Sequence, residues 1–299
     1  MTEAQPDSGA TWRDYKELTK PNVVLLMILT SVIGMFMAVP GMVPLDVLIL
    51  GNLGIAMVAG AAAAVNHLVD QRIDQHMART RNRPIAQGRV GPLQAAIFAL
   101  VLGGLGMALL LVFINDLTAW LTLASLVGYA VIYTMFLKRA TPQNIVIGGL
   151  AGAAPPLLGW TAVTGEVHGH GLLLALIIFA WTPPHFWALA IHRKEEYAAV
   201  DIPMLPVTHG EAFTKLHIML YTVLMILVTL LPFATRLSGP LYLLGALVLG
   251  GGHLYWAIEL LRNKNPRAPI ETFRYSIVYL MALFVVMVVD HYLFPQALV

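Results

Sequence analysis

Apolar stretches of roughly 20 residues follow one another along nearly the whole of this chain, and each is long enough to cross a bilayer as a helix. Backbone that enters hydrocarbon must satisfy its N–H and C=O groups internally, so only helices and closed barrels can span. The alternating pattern of barrel strands is absent. The fold class is therefore all-α and polytopic. Charge agrees: 11% of the 299 residues are charged, against about 25% in a soluble domain.

The apolar runs predict nine transmembrane helices, over about 23–38, 45–69, 93–114, 117–137, 144–163, 171–191, 216–233, 241–261 and 273–294. They are expected to surround a central cavity open to the cytoplasmic side. Asn115-Asp116 and Ser238-Gly239-Pro240 are short enough to make tight helical hairpins. Pro155-Pro156 should interrupt the fifth span. Pro183-Pro184 should break the hydrogen-bond ladder of the sixth, freeing carbonyls that need partners or line a cavity. The chain reads as a single membrane domain over 1–299, with no internal repeat. Residues 1–20 are polar and lack the apolar core of a cleavable signal peptide; an amphipathic, surface-lying stretch from Trp12 to Leu18 fits weakly. There are no cysteines, which excludes disulfides and thiolate chemistry.

Basic residues fix the orientation. Of the 18 Lys and Arg, every one but Arg236 falls on one side of a nine-span arrangement. That side should be cytoplasmic, with the N-terminus inside and the C-terminus outside. Two charged cytoplasmic loops, about 70–92 and 192–215, then share a face and are expected to cap a site. A net charge of +2 gives no electrostatic case for nucleic acid.

Where the second span meets the first of these loops stand Asn66, Asp70 and Asp74, spaced i, i+4, i+8 and so on nearly one helix face. Two carboxylates and a carboxamide make an oxygen-rich ligand set for Mg2+. Arg79 and Arg83 follow, and guanidinium groups suit phosphate oxygens. Asn66 and His67 are polar groups within a span, where they need a partner. The bland reading, a solvated helix end, explains neither the depth nor the alignment.

After the sixth span comes a second acidic cluster, Glu195, Glu196 and Asp201, with Tyr197 between. Asp201 and Glu196 are the expected ligands of a paired metal-diphosphate site; a solvated loop is the competing reading. Trp181, His185 and Trp187 flank Pro183-Pro184, with His192 at i+7 from His185. Flat aromatics beside an imidazole suit a planar apolar ligand such as a porphyrin, although such stripes are often plain packing. Lys138 and Arg139 are placed to meet diphosphate, carboxylates or anionic lipid. Gly148, Gly149 and Gly152 read as close helix packing. His168 and His170 read as exposed on the far side.

Taken together, these residues describe a metal-dependent enzyme acting on a lipid diphosphate. A transporter fits less well, because the charges gather at one face and not at the midplane.

Asn66-x3-Asp70-x3-Asp74 followed by Arg79-Thr80-Arg81-Asn82-Arg83-Pro84 resembles the first motif of the intramembrane prenyltransferases. Thr182-Pro183-Pro184-His185-Phe186-Trp187-Ala188-Leu189-Ala190, Ile202-Pro203-Met204-Leu205-Pro206-Val207 and the stretch from Gly148-Gly149 to Gly159-Trp160 resemble the branch that farnesylates protohaem IX. One departure is Glu196, where that branch often has Asp. The resemblance implies transfer of a farnesyl group from farnesyl diphosphate to a vinyl group of haem b, giving haem O and diphosphate. It implies Mg2+ held by Asn66, Asp70, Asp74 and Asp201, with Arg79 and Arg83 on the diphosphate. Haem would meet His185, with Trp181, Trp187, His192, Tyr197, Glu196, Lys138 and Arg139 as further substrate contacts. It also implies a place in a bacterial inner membrane, and a haem A synthase or terminal oxidase that receives the product. The alternatives are a quinone-precursor or chlorin prenyltransferase and a haem or prenyl-lipid transporter.

Overall fold

The computed structural model describes residues 10–75 and 80–294. Among these there are helices, turns and loops but no strand. The elements in order are α1 (Trp12–Leu18), α2 (Pro21–Met37), α3 (Val47–Asp74), α4 (Pro92–Phe113), α5 (Asp116–Ala140), α6 (Asn144–Thr164), α7 (Gly169–His192), α8 (Lys194–Ala198), α9 (Leu205–Thr208), α10 (Gly210–Ala234), α11 (Pro240–Arg262) and α12 (Ala268–Leu293). Eight of these, α3 to α7 and α10 to α12, are each long and apolar enough to cross a membrane. At 17 residues α2 is the ninth, at the short end of a crossing length; it passes the same test together with α1, from which it bends by 52°.

Local chemistry sets the helix ends. Asn115 caps α5 by accepting from Thr118 N at 2.8 Å. Pro21, Pro92 and Pro240 open their helices, where a missing N–H costs nothing. Pro155 stops the first half of α6 after Gly152 and starts the second. The first corrected expectation is α3, which stays helical through Asp74, so Asp70 and Asp74 belong to the helix and the loop begins beyond them. Pro183-Pro184 lie inside α7, which runs on through them although neither can donate a ladder hydrogen bond. Trp181 Nε1 ties that helix to α12 by donating to Ser276 O at 2.7 Å, and Thr182 Oγ1 donates within α7 to Ile178 O at 2.8 Å.

At the centre stands α7. Of its crossing window 67% is buried, against 17% for α5, which marks α5 as a lipid-facing helix. Leu174, Ile177 and Trp181 of α7 pack with Met225, Tyr242, Tyr279 and Phe284 of α10 to α12. On the other side α2 crosses the second half of α6 at backbone contact. A Cβ on Gly159 would lie 1.9 Å from Ser31 O, and one on Gly34 2.0 Å from Pro156 O. Small residues drive this kind of approach between helices in lipid, where no hydrophobic force separates protein from solvent. Gly148 and Gly149 do the same against Tyr133 and Thr182, as the small-residue stretch suggests, whereas Gly152 faces open space.

Candidate active site

The polar face of α3 is buried. Asn66, Asp70 and Asp74 are 4%, 2% and 3% exposed, so their charges require partners inside the protein. Asn66 Nδ2 donates to Asp70 Oδ2 at 2.9 Å and to Thr134 Oγ1 of α5 at 3.3 Å. Three cations converge on this ladder from three separate elements. Lys138, at the end of α5, donates to Asp70 Oδ2 at 2.6 Å. Arg83, from the loop after α3, donates to Asp74 Oδ2 at 2.6 Å. Lys20, at the junction of α1 and α2, donates to Asn66 Oδ1. Lys20 has φ +50, a left-handed conformation set just before Pro21. Its role had no signal in the sequence beyond that proline.

Thr134 and Lys138 reach α3 from a stretch of α5, Gly128–Leu137, that is wound as a π-helix. Thr134 Oγ1 donates to Tyr129 O, five residues back, at 2.8 Å. Such wide turns are rare and recur at functional sites.

The loop over the ladder is fastened to α1. Arg89 pairs with Asp14 and lies 3.6 Å from Glu17. Ile85 and Val90 pack on Leu18 and Ala64. Asp14 in turn closes the start of α1 by accepting from Thr11 N at 2.9 Å. Arg79 lies outside the described residues.

The donor set fits Mg2+. Asp70 Oδ1 is buried in the ladder with no hydrogen-bond partner, and Asn66 and two carboxylates supply hard oxygen atoms beside it. Among the described residues no three His, Cys, Asp or Glu side chains come together as a closed cage.

The second acidic cluster is looser. Glu195 is exposed, and Glu196 faces Arg193 at 3.4 Å in a half-exposed pair. Tyr197 is buried against Trp187, Ile202 and Leu205. Asp201, exposed and with φ +53, lines a cleft of about 580 Å3 with Val69, Arg72, Ile73, Met135, Arg139, Ala199 and Val200. Val69 and Ile73 each precede a ladder carboxylate by one residue. The cleft therefore opens on a face of α3 turned about 100° from the ladder. Arg72 received no role in the sequence reading.

The aromatic residues of α7 divide between two faces. His185 is 6% exposed and sandwiched between Trp181, at 4.1 Å, and Phe273 of α12, at 4.6 Å. Its Nδ1 bonds Ser276 Oγ at 2.6 Å. Both flat faces of the ring are taken, leaving the Nε2 edge as its free side. Trp187 points elsewhere, edge-on to Tyr221 of α10 at 5.2 Å. His192, a double turn past His185, is exposed at the end of α7. Trp181 and Trp187 therefore do not build one wall, because six residues along a helix leave two side chains about 120° apart around its axis.

At the opposite end of the bundle His168 and His170 are half-buried, not exposed. His168 stacks on Trp160, His170 meets both rings edge-on, and His170 Nε2 meets Thr235 O at 3.3 Å.

Comparison with known proteins matches residues 27–286 to the UbiA prenyltransferase family. A protein of Saccharophagus degradans named protoheme IX farnesyltransferase is 73% identical over 302 residues, covering 100% of each chain. One of the same name from Teredinibacter turnerae is 71% identical, covering 95% of this chain and 91% of its own. Among solved structures, digeranylgeranylglyceryl phosphate synthase superposes with a TM-score of 0.80 at 18% identity, over 94% of this chain and 98% of its own. A UbiA homologue from Archaeoglobus fulgidus, bound to GPP and Mg2+, gives 0.61 at 15% identity, over 92% and 99%. These two likenesses establish the fold.

Proposed function

This chain belongs to the UbiA prenyltransferase family, and from that premise we propose that it transfers a farnesyl group from farnesyl diphosphate to a vinyl group of protohaem IX, yielding haem O. The observation that carries the chemistry is the buried ladder of Asn66, Asp70 and Asp74 with Lys20, Arg83 and Lys138 converging on it. The choice of acceptor and donor rests on the names of the full-length relatives.

The carbon–oxygen bond at farnesyl C1 breaks, and the electron pair leaves with diphosphate. The leaving group accumulates negative charge, which fixed positive groups stabilise without having to reorganise. Lys20, Arg83 and Lys138 supply such groups, and Arg79 is assigned to the same task. Asn66, Asp70 and Asp74, with Asp201 for a second ion, would hold Mg2+, which supplies Lewis-acid neutralisation of the diphosphate oxygens. Lys138 and Arg83, held at Asp70 and Asp74, present their charge beside the place the diphosphate would take. The apolar interior keeps water from the allylic cation. The haem vinyl carbon attacks that cation. Water adds to the new cation beside the porphyrin and loses a proton, giving a hydroxyethylfarnesyl chain.

His185 meets the acceptor through Nε2, as a ligand to its iron, and Trp181 holds the imidazole in place. Glu196, Tyr197, Trp187 and His192 belong to the surround of the site. The whole chain acts as one membrane domain, with the loops after α3 and α7 on the site side. Its setting is the bacterial inner membrane, with the N-terminus cytoplasmic and the C-terminus outside. Haem O then passes to a haem A synthase or an assembling oxidase.

The test is incubation of purified protein in detergent with haem b, farnesyl diphosphate and Mg2+, followed by mass analysis of extracted haem. A product heavier by one farnesyl group and one hydroxyl group is expected. No such product, with conversion of a quinone precursor instead, would overturn the assignment of acceptor.

A further inference from the structure

We propose that Arg72 and Arg139 form the acceptor's carboxylate clamp, taking the two propionates of the porphyrin in the cleft beside α3, apart from the cations that serve diphosphate. This rests on the function proposed above and assigns the acceptor a place.

The positive groups at this end of the bundle fall into two sets. Lys20, Arg83 and Lys138 aim into the buried ladder and each touches one of its members. Arg72 and Arg139 line the 580 Å3 cleft instead, on the neighbouring face of α3. Arg139 directly follows Lys138, so consecutive residues of α5 deliver one charge to each set. A cleft of this size is in the range that encloses a ligand of several hundred Å3. Its lining joins three apolar side chains, Val69, Ile73 and Met135, with two guanidinium groups and one carboxylate, Asp201. An apolar disc with two carboxylates on one edge matches that pattern, and planar guanidinium pairs with carboxylate in two parallel hydrogen bonds. A porphyrin seated there lies one residue's rotation around α3 from the carboxylates that organise the farnesyl donor. The donor's diphosphate is met by the other set of cations, and Asp201 is the one residue of this cleft assigned to its second ion.

The test compares haem b with its dimethyl ester, which keeps both vinyl groups and loses both carboxylates. Wild-type enzyme is expected to prefer the diacid by about tenfold or more in kcat/KM, tenfold being about 1.4 kcal/mol of discrimination. Arg72→Gln/Arg139→Gln should bring that ratio close to one and leave the KM for farnesyl diphosphate unchanged, which also shows that the variant is folded. Arg72→Lys/Arg139→Lys should restore part of the preference. Equal use of acid and ester by the wild type overturns the clamp. So does an unaltered ratio in the Gln variant, or a rise confined to the farnesyl diphosphate KM. Absence of haem farnesylation by the wild type is a separate result, and it removes the function on which the clamp rests.

Discussion

Lys138 Nζ lies 2.6 Å from Asp70 Oδ2, while the other oxygen of that carboxylate is buried without a partner. One lysine thus neutralises a carboxylate that has room for another cation. Removing one partner of a buried pair strands the other charge and typically costs several kcal/mol. Lys138→Met is therefore expected to lower stability by about 3 kcal/mol in the absence of metal. Added Mg2+ should recover more stability in this variant than in the wild type, because it binds the folded form alone. Thermal unfolding in detergent across a Mg2+ series measures this; equal metal-dependent shifts in the two proteins would contradict it. Turnover should fall about a hundredfold, as for loss of one charge-stabilising donor.

Chelation should abolish transfer and Mg2+ should restore it. Asp70→Ala should lose at least about a thousandfold in kcat, a loss on the scale of a missing electrostatic stabiliser, and should not recover at high Mg2+. The check is product formation against metal concentration for both proteins. Activity in the variant equal to wild type at saturating Mg2+ would detach Asp70 from the metal.

Gly34 and Gly159 mark where α2 and α6 touch through backbone. A methyl group there meets carbonyl oxygens that cannot swing aside, so Gly159→Ala or Gly34→Ala should cost about 3 kcal/mol, the upper end of ordinary overpacking. Gly152→Ala meets nothing within 4 Å and should change stability little. Comparing the three unfolding temperatures separates a contact effect from a general intolerance of alanine.

His185→Phe keeps the stack between Trp181 and Phe273 but removes the ring nitrogens. The KM for haem should rise about tenfold, a change of about 1.4 kcal/mol, with the KM for farnesyl diphosphate unmoved. Trp187→Phe, on the face towards Tyr221, should leave both constants near wild type. Separate titration of the two substrates decides.

The spans and the ladder were legible because each is a periodicity: apolar runs of membrane length, and polar residues at i, i+4 and i+8. What escaped was convergence. Nothing local says that Lys20, 46 residues before Asn66, folds onto it, or that Lys138 reaches Asp70 across 68 residues. The sequence separated Arg72 from its neighbours no better, since the orientation of a long side chain at a helix end is settled by the adjoining helices. Pro183-Pro184 show the same limit: the sequence puts them inside a span, but the neighbour that ties the helix there, Ser276 through Trp181, comes from tertiary packing. His185 and His192 share a spacing but not an environment, because α12 covers one and α7 ends at the other.

The π-wound segment of α5 sets the angular phase of everything that follows it. Adding or deleting one residue between Gly128 and Leu137 would swing the end of that helix by about 100°. Lys138 would leave Asp70 and Arg139 would leave its cleft in the same turn of the screw. The separation of donor charge from acceptor charge is thus encoded in a count of residues, as in a vernier, and length within this segment is as much a specification as the identity of the two basic side chains.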